Sequence, residues 1–181
     1  MAGIRHVVRN ANGIGPGSGS ITSGRLIQRS ADSPGVAVFP PLLFGGALAL
    51  GLLLHWIWPA HPLPSLPARL VGVVLLAASG LLARSAEAAM KRAGTNIRPD
   101  QPTLAVVSDG PFRFTRNPLY LALTGLYVSI TLLADALWPL LLLVPVLVVL
   151  QWGVVAREER YLEAKFGEPY RAYKARVRRW V

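Results

Sequence analysis

The stretch Ala136–Ala156 reads ALWPLLLLVPVLVVLQWGVVA and carries no charge at all. A bilayer span takes about 17–25 mostly apolar residues, and this stretch meets that length. Asp135 bounds it on one side and Arg157-Glu158-Glu159-Arg160 on the other. Working outward, three more charge-free intervals appear: Val36–Trp58, Leu70–Ala83 and Pro118–Ala134. The first of these is long enough to span, and Pro118–Ala134 sits at the short limit. Leu70–Ala83 reaches span length only if Ala68–Arg69 and the Ala-rich run up to Met90 extend it, with Arg69 snorkelling. The pattern predicts an all-α, multi-pass membrane helix bundle of about four spans. Composition agrees: of 181 residues 52% are apolar and only 15% charged, with mean hydropathy +0.43. Soluble domains carry roughly 25% charged residues, and a soluble four-helix bundle would need more charged faces than this chain has.

The charges then set the topology. Every one of the 19 Lys and Arg except Arg69 lies before the first span, between the second and third, or after the fourth. An even number of spans puts these three segments on one side, a strong positive-inside pattern that places both termini in the cytosol. The net charge of +10 thus reflects topology and attraction to the anionic lipid bilayer. Nucleic acid is not an expected partner, because the basic residues flank spans and form no recognition motif. Without cysteine, disulfides, thiolate catalysis, Cys-zinc sites and a prenylated C-terminus are excluded. His6, His55 and His61 have no metal-ligand spacing partner, so they read as structural or solvated and no metal site is expected. Residues 1–31 read as a flexible basic tail, rich in Gly and Ser, ahead of a membrane domain over 32–181. The tail composition also matches an organelle transit peptide.

Two polar segments can carry chemistry. The first contains Ser108-Asp109-Gly110-Pro111-Phe112-Arg113-Phe114-Thr115-Arg116-Asn117-Pro118-Leu119-Tyr120. Pro118 suits the first turn of a helix and Asn117 its N-cap, which sets Arg116, Asn117 and Tyr120 at the mouth of the third span. An interfacial belt of aromatics and arginines accounts for the same residues. The second segment is Arg157-Glu158-Glu159. The short turn Asp135–Pro139 makes the third and fourth spans antiparallel neighbours, so these carboxylates return to the level of Arg116. Carboxylates near hydrocarbon need a partner: Arg113, Arg116 or a ligand ammonium. Pro145 should kink the fourth span.

Four pieces in order, Gly94-Thr95-Asn96-Ile97 with Pro99, Gly110–Tyr120, Glu158-Glu159 with Leu162, and Phe166-Gly167 with Tyr170, Tyr173 and Arg176–Arg179, carry a family likeness. From Asp32 to Val181 the chain resembles the isoprenylcysteine carboxyl methyltransferase and phospholipid N-methyltransferase superfamily of integral-membrane enzymes. The resemblance implies an S-adenosyl-L-methionine pocket at the cytosolic ends of the last two spans, roofed by a C-terminal interfacial helix. It assigns cofactor binding to Gly110, Phe112, Arg116, Asn117, Pro118, Tyr120, Glu158 and Glu159. Arg116 and Glu158 become the expected catalytic residues. A glutamate would take the cofactor ammonium, Arg116 its carboxylate, and Phe112 would face the adenine. The best-known members have His at the position of Asn117, which cannot titrate, and Gly where Ala122 stands. The implied acceptor is amphiphilic, either an isoprenylcysteine-type carboxylate or a phospholipid-type amine. Competing readings are a catalytically silent scaffold or lipid-binding protein of the same fold, and a membrane reductase using a nicotinamide cofactor.

The topology is directly testable. Cysteines introduced at Ser20 and His61 should label from opposite sides of a sealed vesicle, because the basic segments all fall on one face. Labelling from the same side would rule out the four-span arrangement.

Overall fold

The computed structural model describes residues 38–61, 65–98 and 101–180. They form α1 (Pro40–Ile57), α2 (Ser65–Arg92), a 3-10 turn (Gly110–Arg113), α3 (Pro118–Leu133), α4 (Leu137–Val149), a π-helical stretch (Leu150–Val155), α5 (Ala156–Phe166) and α6 (Glu168–Arg176). The fold is the all-α membrane bundle expected from the sequence. The tail over residues 1–31, and its transit-peptide alternative, lie outside the described residues.

Three helical runs are long and apolar enough to cross a bilayer: Pro40–Ile57, Leu66–Arg92 and Leu137–Phe166. The second interval, shortest in the sequence, becomes the longest single helix at 28 residues. Its Ala-rich second half is the reason, since Ala has the best helix propensity. Gly94, at φ +67°, ends it. Thr95 N–H donates to Met90 O (3.2 Å) and Gly94 N–H to Lys91 O (3.1 Å), the two bonds of a Schellman stop. α3 has 16 residues and rises about 24 Å, short of a hydrocarbon core of about 30 Å. The run from Leu137 to Phe166 rises about 45 Å, so its last turns, with Arg157, Glu158 and Glu159, project past the core. Leu42, Val74, Leu81 and Val144 stand 64–72% exposed, an exterior that suits lipid and not water.

Packing departs from the expected hairpin. α3 leans chiefly on α2, and α4 chiefly on α1, while α3 and α4 touch each other only lightly. Small residues decide this, because lipid offers helices no hydrophobic reason to associate and close van der Waals approach takes over. Gly125 meets Ser79, and Gly72 meets Ser129 and Leu133. On the other pair, Gly51 lies directly against Pro139. Between the pairs, Phe44 and Tyr127 cross edge-on with centroids 5.9 Å apart, and Tyr127 OH donates to Pro139 O (2.8 Å). Their cluster continues through Leu143, Val146, Leu150, Val154 and Val155.

The two loops expected on one face do share one end. Trp138 Nε1 donates to Trp58 O (2.7 Å), Leu137 N–H to Ala60 O (3.1 Å), and His61 Nδ1 lies 3.2 Å from Asp135 Oδ2. Toward the opposite end Pro145 lies inside α4, which continues through it to Val149, and the ladder widens to π geometry from Leu150. A π stretch adds a residue to the turn and rotates everything after it, so it sets the direction of Glu158 and Glu159.

The Gly51 contact generates a stability test. A Cβ there would fall 2.6 Å from Pro139 Cα and 2.7 Å from its nitrogen, whereas one at Gly45 in the same helix meets nothing within 4 Å. Gly51→Ala should cost about 1–3 kcal/mol as an overpacking change, read as a lower melting temperature in detergent. Gly45→Ala should leave melting unchanged or raise it slightly. Equal melting of the two variants would contradict the close packing of α1 on α4.

Candidate functional site

The site is built around the start of α3. Pro118 occupies the first helical position and is fully buried. Asn117 is the N-cap residue by position, but its side chain makes no cap bond. Its Nδ2 instead donates to Arg179 O (2.9 Å), and Thr115 Oγ1 donates to the same carbonyl (3.1 Å). The backbone N–H of Arg116 donates to Arg178 O (3.0 Å). The C-terminal residues therefore lie across the mouth of α3 and bond to the residues just before its first turn. The 3-10 turn is tied down from α6, with Tyr173 OH donating to Phe112 O (2.8 Å).

These elements enclose a cavity of about 380 Å³. Phe112, Arg116, Asn117, Pro118, Tyr120, Glu158 and Glu159 all line it. Gly110, also assigned to the site, is exposed, with φ +59° and its Cα edge toward Ala89 and Arg92 of α2. It shapes the turn and is not among the residues that line this cavity. Phe39, Pro41 and Leu123 make the wall apolar on the membrane side, and Tyr170 and Tyr173 close it from α6. Burial, above all, pushes the Tyr170 phenol up to about 12 and that of Tyr173 higher still, so both stand as neutral hydroxyls.

The two adjacent glutamates have different lives. Glu159 is buried and receives two bonds from Arg179, Nε to Oε1 (3.0 Å) and Nη2 to Oε2 (2.6 Å). Arg116 Nη1 lies 3.1 Å from Glu159 Oε1, a charge contact without hydrogen-bond alignment. Glu159 also pushes the Arg179 pKa up, chiefly through those hydrogen bonds. Glu158 accepts a bond from Tyr120 OH (2.7 Å) and has no cation against it among the described residues. The Nε and Nη1 groups of Arg116 are buried and donate to nothing among the described residues. The cavity thus presents a carboxylate with no cation against it and two guanidinium N–H groups with no acceptor among the described residues, a pair that matches the opposite charges of an amino-acid zwitterion. No cluster of His, Cys, Asp or Glu able to hold a metal occurs among the described residues.

Two residues of this site escaped the sequence reading. Arg179 was only one of a basic run. Glu87 of α2 lines the cavity, and an acid inside a membrane helix is itself a signal of function. The contacts of Gly72 with Ser129 and of Ser79 with Gly125 carry the antiparallel register on to bring Glu87 level with the start of α3.

A family model described as phospholipid methyltransferase matches residues 67–169, more than half of the chain. An uncharacterized protein of Haemophilus influenzae is 45% identical over 64 residues, which is 35% of this chain and 100% of that protein. No solved structure matches the chain.

The unequal surroundings of the glutamates predict unequal stability. Glu159→Gln leaves two arginines facing a neutral group, and breaking a buried ion pair costs about 3–5 kcal/mol. Glu158→Gln keeps a hydrogen-bond acceptor for Tyr120 and should cost no more than about 1 kcal/mol. Melting curves in detergent should therefore rank Glu159→Gln well below Glu158→Gln. The reverse order would refute the ion-pair assignment.

Proposed function

Because the chain belongs to the phospholipid methyltransferase family, we propose that its cavity binds S-adenosyl-L-methionine and passes the methyl group to an amphiphilic amine held in the membrane. One observation carries the reading: Glu158, with no cation against it among the described residues, and Arg116, whose Nε and Nη1 donate to nothing among them, line one cavity. The donor set fits the cofactor. Glu158 would hold the α-ammonium, Arg116 the α-carboxylate, and Phe112 would lie against the adenine. When bound, the cofactor supplies an electrophilic methyl group on a sulfonium that departs as a neutral thioether.

The chain's own residues then have three tasks. Glu158, held by Tyr120, and Arg116, held by Glu159, fix the orientation in which the methyl carbon meets the acceptor nitrogen. Such alignment supplies most of what a displacement needs. The apolar wall of Phe39, Pro41 and Leu123 excludes water and accepts hydrocarbon. Glu87, which lines the cavity with no cation against it among the described residues, favours a cationic headgroup over a carboxylate. An amine must lose a proton before it can attack, and Glu87 would take it.

The test is transfer of labelled methyl from S-adenosyl-L-methionine by the purified full chain into a total lipid extract. Label should enter an amine and survive alkaline hydrolysis. Label released by alkali would identify a methyl ester and a carboxylate acceptor. Glu158→Gln should weaken cofactor binding by roughly ten- to a hundredfold, the worth of a charge-assisted bond of about 1.5–3 kcal/mol. Calorimetry showing no cofactor binding by the wild-type chain would refute the reading and leave a silent scaffold.

A further inference from the structure

After α6 the chain becomes extended at Val177, with φ −117° and ψ 130°, and turns back across the site as a strap. The Arg178 carbonyl accepts from Arg116 N–H, and the Arg179 carbonyl from Thr115 Oγ1 and Asn117 Nδ2. One residue on, Trp180 Nε1 donates to Gln151 Oε1 of the π-helical stretch (3.1 Å), and its ring packs on the core cluster. The backbone is thereby fixed on both sides of Arg179, which leaves its guanidinium aimed at Glu159.

The consequence lies in the competition for one carboxylate. A guanidinium fork matches a carboxylate in two parallel bonds, and Arg179 takes both oxygens of Glu159 in that way. Arg116 is as close to Oε1 as Arg179 is, yet out of line for a hydrogen bond. Its buried Nε and Nη1 are left bare beside the cavity, a costly arrangement unless a ligand completes it. Two cations share one anion here, so the group keeps a net positive charge.

We propose that Arg179 is a positioning residue that claims both oxygens of Glu159 and so keeps the N–H groups of Arg116 free for a ligand carboxylate. The inference rests on the reading of the cavity as a cofactor site. Without Arg179, Glu159 would close on Arg116, align with its N–H groups and neutralise it.

The experiment compares two neutral-sulfur nucleosides by calorimetry on the full chain in detergent. S-adenosylhomocysteine carries both ammonium and carboxylate, and S-adenosyl-3-thiopropylamine keeps the amine but lacks the carboxylate. Wild type should favour the first. Arg179→Gln should lose roughly tenfold in affinity for S-adenosylhomocysteine and stay within about twofold for the amine analogue. An equal loss for both ligands would mean a structural role and overturn the proposal. Unchanged affinity for S-adenosylhomocysteine would overturn it too, as would a wild type that binds both ligands equally, and in each case the cofactor reading would stand. A wild type that binds neither would defeat the cofactor reading and this inference with it. Should Arg179→Gln fail to fold, Arg179→Lys keeps the charge but lacks the fork, and the same carboxylate-selective loss is expected of it.

Discussion

The site end of the molecule depends on one buried carboxylate. Glu159 could not sit beside the bilayer unpaired, because an isolated charge away from water is prohibitive. Two guanidiniums answer it, from the start of α3 and from the chain's C-terminal end. That requirement draws the C-terminus back over α3. The returning backbone then supplies the carbonyls that Arg116, Thr115 and Asn117 bond to. Asn117 gives up its capping role for the same reason. The side chain that should serve the helix N-terminus is spent holding the strap.

A second constraint operates along the bundle. Helices in lipid associate through close contact of small residues, and three glycines set the partners: Gly72 and Gly125 for α2 with α3, Gly51 for α1 with α4. With Gly51 against Pro139 and Phe44 clustered with Val146, the register places Pro40 near Leu150. α5 thus runs on past the start of α1, and α6 folds back against it. α3 is short and begins near α5, where Tyr120 meets Glu158. The cavity occupies the space that these two early endings leave, and α6 and the strap roof it.

Much of this was legible in the sequence. Apolar intervals bounded by charge depend only on the transfer free energy of each residue, so the membrane bundle could be read without any contact being known. The Arg116-Asn117-Pro118 start and the adjacent Glu158 and Glu159 could be set at one depth from helix rise and a short turn. The cavity does hold these residues together, with Phe112 and Tyr120. The π-helical stretch was not legible, since nothing in Leu150–Val155 distinguishes it from an ordinary apolar helix.

What the sequence alone determined is therefore the class of fold and most of the residues it assigned to the site, without Glu87 and Arg179. Those properties are local, fixed by hydropathy and by distances along a helix. Only the tertiary structure decided which glutamate is paired with arginine and which meets Tyr120 instead. Glu158 and Glu159 are chemically the same, but neighbours on a helix point about 100° apart. The turn of the π stretch and the return of Arg179 from twenty positions along select between them. That choice depends on where side chains point once distant segments have met, which no spacing along the chain records.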